Sequence, residues 1–239
     1  MSAPVFLVPA DTLQLGVVRV AGDEGHHAAK VKRIREGEVV DICDGAGSRA
    51  SASVSAIGKD WIEVAVEHIT RESEPDVRFV VVQAIAKGDR ADLALELLTE
   101  VGVSRVIPWQ AAHSVAKWDT DKSHTKWERV VREATKQSRR SRVPVIDSPV
   151  TTQHLCALIS SAPLAIVLHE SADMPLAAVT LPPQGDVLIV VGPEGGISPD
   201  EVTACAAAGA HVVRMGSTVM RTSTAGGVAL GILASKTWN

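Results

Sequence analysis

Four nearly continuous apolar runs dominate the last two thirds of this chain: FVVVQAIA at 79–86, LAIVL at 164–168, DVLIVV at 186–191 and HVVRM at 211–215. A run without alternation has no polar face to offer water, so each strand needs cover on both sides, as in a parallel sheet between helices. The segments between the runs supply those helices. Asp89 is placed to cap one that carries Leu93, Leu97, Leu98 and Val101 on one side and stops at Gly102. Ser123 is placed to cap another, with Trp127, Val130, Val131 and Ala134 as its apolar face. Its opposite side presents Arg129, Arg132, Lys136, Arg139 and Arg140 at spacings of three and four, ending before Pro144. Ser198-Pro199-Asp200-Glu201 reads as a capping box with proline at the first helical position. Alternating strand and helix predicts an α/β domain with a mostly parallel sheet over residues 73–239.

Residues 1–72 have a different texture. Ile62, Val64 and Val66 alternate with Glu63, Ala65 and Glu67, and the same period of two recurs at Val40/Ile42 and at Ala52/Val54/Ala56. Gly45-Ala46-Gly47 and Gly58-Lys59-Asp60 supply turns, which together predict a small β-barrel. A helical insert is expected from Glu24 to Arg35, with Lys30, Lys32, Arg33 and Arg35 crowded at its end. The polar stretch Arg71 to Asp76 reads as the linker.

With 239 residues, 46% of them hydrophobic, the chain is long enough to bury a sizeable core without staples. Three widely spaced cysteines (Cys43, Cys156, Cys205) fit neither a disulfide framework nor a metal clasp, so no metal is expected. The N-terminus lacks a cationic start with a long apolar run, and Thr222 to Ser235 is too short to cross a bilayer. A cytoplasmic protein without membrane contact is the expectation. The net charge of −4 argues against indiscriminate nucleic-acid binding, yet Lys117 to Arg142 holds nine cations against four acids. One basic stripe in an otherwise acidic chain suits localised phosphate contact.

In open α/β sheets ligands bind beyond the carboxyl ends of strands. Three such ends stand out: Leu168-His169-Glu170, Gly192-Pro193-Glu194-Gly195-Gly196, and Met215-Gly216-Ser217-Thr218-Val219-Met220-Arg221. The phosphate-cradling patterns GxxxxGK[ST] and GxGxxG are absent, and Glu194 would repel a triphosphate. Glycines at 192, 195, 196 and 216 instead let backbone approach a neutral adenosine, and a nearby carboxylate tolerates a sulfonium. Taken alone, GPEGG also suits an ordinary turn of a generic enzyme.

The whole pattern resembles the RsmE family, SPOUT-superfamily methyltransferases that act on uridine N3 in 16S ribosomal RNA of the small subunit. The resemblance rests on Asp23-Glu24-Gly25-His26-His27, Val31-Lys32-Arg33-Ile34-Arg35 with Gly37, and Asp44-Gly45. It continues through Lys87-Gly88-Asp89, Thr99-Glu100-Val101-Gly102-Val103, Glu133-Ala134, Gln137-Ser138, Arg140 and Pro144. Leu168-His169-Glu170, GPEGG and Met215-Gly216 through Arg221-Thr222 and Thr224-Ala225 complete it, spanning residue 23 to the C-terminus. It implies a PUA-like RNA-binding barrel over 1–72 and a SPOUT domain over 73–239 whose last segments form a trefoil knot. It also implies a homodimer and a bent S-adenosyl-L-methionine as donor. Leu168, His169, Glu170, Gly192, Glu194, Gly196, Met215, Gly216, Ser217, Val219 and Met220 then become donor-pocket residues. Two departures stand out: Ser223 replaces the carboxylate of the family's usual R-x-E-T-A, and Val5-Phe6-Leu7-Val8 lacks the usual N-terminal Arg.

Methylation at N3 removes an imide proton and leaves charge on O2 and O4, so alignment and charge stabilisation are the protein's main tasks. Arg221 suits the second, since a guanidinium donates two parallel hydrogen bonds; His169, Glu170 and Glu194 are candidate bases. Lys30, Lys32, Arg33, Arg35, Arg132, Lys136, Arg139, Arg140 and Arg142 are the expected contacts to small-subunit RNA, within the 30S subunit. An α/β enzyme on another nucleotide-like ligand, and a non-catalytic RNA-binding or ribosome-assembly protein, remain open on the residues alone.

Overall fold

The computed structural model describes residues 3–238 and resolves into two compact units. The first runs to Glu74 and takes back Thr135–Val143; the second comprises Pro75–Ala134 and the chain from Pro144 onward. The expected division at 72/73 leaves 135–143 with the larger domain, whereas the structure groups it with the first.

The first unit contains β1 (Val5–Leu7), β2 (Gly16–Val20), α1 (Gly22–His26), β3 (Val39–Cys43), β4 (Ser48–Ile57), β5 (Ile62–Val66) and β6 (Thr70–Arg71). The strand order is β1-β3-β4-β5-β2, with β6 on β4; only the β1–β3 pair is parallel. Phe6 of β1 and Val18 and Val20 of β2 share one core with Val40, Ile42, Val54, Ile62 and Val64. The two ends of the path therefore wrap a common interior, which the period-two alternation called for. A bulge between Val54 and Ala56 bends β4. The expected helix over 24–35 is shorter: α1 passes into a π-turn at His27–Val31, and Arg33 at φ 52° ends it.

The second unit is built on a wholly parallel sheet ordered β11-β13-β10-β12-β7-β8-β9. In chain order its elements are β7 (Val77–Ala84), α2 (Asp89–Val101), β8 (Arg105–Trp109), α3 (Thr120–Ser138), β9 (Val145–Ile146), α4 (Thr152–Ser161) and β10 (Leu164–Leu168). There follow β11 (Met174–Pro175), β12 (Gly185–Val191), α5 (Pro199–Ala207), β13 (His211–Arg214) and α6 (Thr222–Ala234). Val80, Val82, Val167, Leu188 and Val190 lie in one core beneath α4 and α5. The other face of the sheet receives α6, which packs on α2, β7 and β12.

The helix starts differ in detail from the sequence reading. Asp89 is the first helical residue and Gly88, at φ 61°, takes the cap position; α3 begins three residues before Ser123. The inner face of α2 is Ala91, Ala94, Leu95, Leu98 and Thr99, because small side chains let the helix sit close. Leu93 is left 41% exposed. The capping box at Ser198 and Glu201 is present as read.

One connection sets this sheet apart. β13 lies between β10 and β11, inside the span of the chain that joins β10 to β12. The C-terminal strand is thus inserted between two strands that both precede β12 in the chain, the strand order expected of the knot that the resemblance implies, which ordinary connection rules disfavour.

Candidate functional site: a cavity walled by three strand ends

The chain leaves β10, β12 and β13 at the same edge of the sheet, and the three loops bound a cavity of about 540 Å³. Leu168, His169, Glu170, Gly192, Glu194, Gly196, Met215, Gly216, Val219, Met220 and Arg221 all line it. Ser217 does not; its neighbour Thr218 takes the wall position instead. Arg90 and Arg214 also line the cavity, and neither stands out in the sequence. Arg90 lies in the first turn of α2, outside the three loops that the sequence singles out, and its guanidinium is 3.6 Å from the Glu194 carboxylate.

The glycines differ in what they do. A Cβ on Gly192 would stand 2.5 Å from Ile197 Cγ1, so close packing within the chain demands glycine there. Gly216 has neither a positive φ nor any protein atom within 4 Å of the place its Cβ would take. Among the described residues nothing crowds that position, which lies at the cavity wall. Beside it Val219 and Met220 are 78% and 38% exposed, apolar surface with no cover of its own. A backbone-edged, partly apolar slot of this size fits a flat nucleoside, and the carboxylates at its rim fit a cationic sulfonium.

The charged groups are already partly committed. His169 Nδ1 accepts the Ser171 N–H at 3.2 Å, so the ring proton of the neutral imidazole sits on Nε2. Arg221 occupies the N-cap of α6, where its carbonyl accepts from Thr224 and Ala225, and among the described residues its guanidinium has no ion-pair partner. Ser223, on the first turn of α6, is buried and lines the cavity. Cys43 and Cys205 are free thiols pushed up to about 11 and about 12, chiefly by burial, and offer no nucleophile. Among the described residues no cluster of His, Cys, Asp or Glu could hold a metal ion. Nor is any described helix long and apolar enough to cross a membrane.

The basic residues divide sharply. Lys30, Lys32, Arg33 and Arg35 are exposed around the end of the first unit's helical insert, and Arg132 and Arg139 are exposed on their own segment. Lys136, Arg140 and Arg142 do not stand as the stripe suggested. Lys136 Nζ is 2.9 Å from Glu24 Oε1 with only 9% of its side chain exposed. Burial depresses the Arg140 guanidinium to about 10, with Glu72 opposing. Arg142 gives its guanidinium to the carbonyls of Ala46 and Glu72, both at 2.6 Å, passing over Gly47, where a Cβ would stand 2.4 Å from it. Helical spacing shows which cations share a face; it cannot show that Glu24 waits on that face. These three are engaged by partners within the first unit. Trp109 and Trp127 are core, and Arg19 lies over the Trp61 ring at 4.4 Å.

Comparison with known proteins agrees with this geometry. Sequence models of an RNA methyltransferase domain and of an RNA methyltransferase PUA domain match residues 73–234 and 20–67. Ribosomal RNA small subunit methyltransferase E of Mycobacterium tuberculosis is 44% identical over 242 residues, covering 97% of this chain and 91% of that protein. The chain belongs to the ribosomal RNA small subunit methyltransferase E family. The Bacillus subtilis member is 29% identical, with 91% of this chain and 90% of that one covered. The solved family member from Neisseria gonorrhoeae, bound to S-adenosyl methionine, superposes with a TM-score of 0.88 at 25% identity, covering 98% of both chains. The fold is accordingly that of a SPOUT methyltransferase with a PUA-like N-terminal domain.

Proposed function

We propose that this protein methylates N3 of a uridine in 16S ribosomal RNA, taking the methyl group from S-adenosyl-L-methionine in the cavity between the β10, β12 and β13 loops. The observation that carries the reading is Gly216: a glycine required by neither backbone nor neighbours, at the wall of a nucleoside-sized cavity, in a chain of this family. Leu168, Gly192, Gly196, Met215 and Gly216 would hold the adenosyl group, with Val219 and Met220 covering its apolar face. His169, Glu170 and Glu194 stand at the polar rim. Bound there, the donor presents a methyl already electrophilic on its sulfonium.

The chain's own groups then align the uracil and stabilise its charge. Among the described residues Arg221 has no ion-pair partner, and it lines the cavity, so its fork is available to the O2 or O4 that gains charge as N3 loses its proton. His169 is poorly suited to take that proton, because its Nδ1 lone pair already accepts the Ser171 N–H. Glu170 and Glu194 remain as acceptors, Glu194 with the Arg90 guanidinium 3.6 Å from its carboxylate. The first unit would bind RNA through the exposed Lys30, Lys32, Arg33, Arg35 and Arg139, and on the second unit Arg132 would add a phosphate contact of its own.

The substrate we assign is the 30S subunit, and the working form a cytoplasmic homodimer. The dimer is supported by an apolar strip on α2 and α6, where Leu93 (41% exposed) and Val228 (39% exposed) flank the half-buried Leu97 and Ile232. The deciding experiment incubates the protein and S-adenosylmethionine with 30S subunits from cells lacking it, followed by mass mapping of the rRNA nucleosides. One new 3-methyluridine is expected. Methylation on another base, or none with donor bound, would overturn the assignment.

A further inference from the structure

The loop after β8 contributes nothing to the cavity wall, yet it grips the turn that does. Beyond Trp109 the chain reaches His113, whose Nδ1 lies 3.2 Å from the Gly195 carbonyl oxygen and 3.1 Å from that of Gly196. Carbonyl oxygens only accept, so Nδ1 carries a proton and shares it between the two. A Cβ on Gly195 would stand 3.0 Å from His113 Cβ, so the glycine also makes room for the ring. The loop bearing His113 is itself tethered. Glu201, 6% exposed, accepts the Ala112 N–H and the Thr152 hydroxyl on Oε1, both at 2.9 Å. Its Oε2 accepts the Ser198 N–H at 3.1 Å and the Ser198 hydroxyl at 3.0 Å. One buried carboxylate thus ties the starts of α4 and α5 to the 110–113 loop, and His113 carries that constraint to the glycine turn.

We infer that His113, fixed in place by Glu201, is a positioning residue for the methyl donor, holding the Gly195 and Gly196 carbonyls so that the turn keeps the shape of a donor-pocket wall. The inference rests on the donor-pocket reading above. Two adjacent glycines, Gly196 at φ 78°, form the least restrained wall segment on backbone grounds. Freed from His113, the turn spends less time in the competent shape, and apparent affinity falls by that fraction. Loss of a shared hydrogen bond of ordinary strength corresponds to about five- to tenfold. Reacting atoms are not touched, so the effect falls on donor binding and not on turnover.

The test compares wild type with His113→Ala, His113→Asn and His113→Gln by calorimetric titration with S-adenosylmethionine and by steady-state methyl transfer. Asparagine puts an amide nitrogen near the place of Nδ1, whereas glutamine puts its own near Nε2. His113→Ala and His113→Gln are expected to raise Kd and KM for the donor about five- to tenfold with kcat within about twofold, and His113→Asn to restore both. His113 is exposed, so all three variants should melt with the wild type. An alanine variant that binds the donor as tightly as wild type overturns the inference, as does an asparagine variant no better than glutamine. Wild type that fails to bind the donor removes the pocket reading itself, a result distinct from either.

Discussion

Replacing Gly216 by valine separates a ligand's claim on the cavity from the fold's. The backbone there has no positive φ and the new Cβ meets no protein atom within 4 Å, so the branch carbon itself costs folding no contact. The expected change in stability is within about 0.5 kcal/mol, as for a surface site. The valine instead projects into space assigned to the adenosyl group. If that group must shift as a well-packed core does when overfilled, about 1–3 kcal/mol of binding is lost. That range is about a five- to 150-fold rise in Kd. Gly192→Ala is the counter-case: its Cβ would sit 2.5 Å from Ile197 Cγ1, a methylene inside the side chain rather than its flexible tip, so Ile197 must move. The cost of about 1–3 kcal/mol appears here in stability, lowering Tm by about 2–4 °C per kcal/mol in a chain of this size. Thermal melts and donor titrations of both variants read the two quantities. A Gly216→Val protein that binds the donor like wild type, or that unfolds while Gly192→Ala does not, would refute the reasoning.

Other outcomes follow from the same geometry. Arg221→Ala should lower kcat by about 10²–10³ while Tm holds, the usual cost of losing one charge-stabilising donor, read in the 30S methyl-transfer assay. Lys136→Met removes one partner of a pair that is largely buried and should cost about 2–4 kcal/mol in urea unfolding, somewhat below the full buried-pair range. Arg139→Ala should leave stability unchanged and reduce the salt dependence of RNA binding by about one phosphate contact. Glu201 is held below its ordinary 4.5: burial alone would raise it, but hydrogen bonds from Ala112, Ser198 and Thr152 outweigh burial. A depressed native value means its stabilisation is complete above 4.5 and lost as pH falls through the lowered value. Melts of Glu201→Gln against wild type should therefore differ most at neutral pH and converge on acidification.

Much of this was readable before the fold was known, because the signals were local. Apolar runs named β7, β10, β12 and β13, and Ser198-Pro199-Asp200-Glu201 placed the start of α5. The three glycine or polar loops at strand ends met as expected, since parallel strands put all their carboxyl ends on one edge. What escaped was long-range pairing. His113 is 82 residues from Gly195, and Arg90 is more than 100 from Glu194; neither carries a local mark of its partner. Lys136 read as a phosphate contact because the helix period says nothing of Glu24, 112 residues away. The position of β13 between β10 and β11 escapes periodicity for a similar reason: strand order is a property of packing, and only the family resemblance carried it.

Diffraction from crystals of the protein grown with S-adenosylmethionine tests the central claim most directly. The account predicts density for a folded adenosyl group between Leu168, Gly192, Gly196 and Gly216, its methyl turned toward the Arg221 side. Density at another place on the molecule, or an empty slot at saturating donor in a preparation that still methylates 30S subunits, would contradict it.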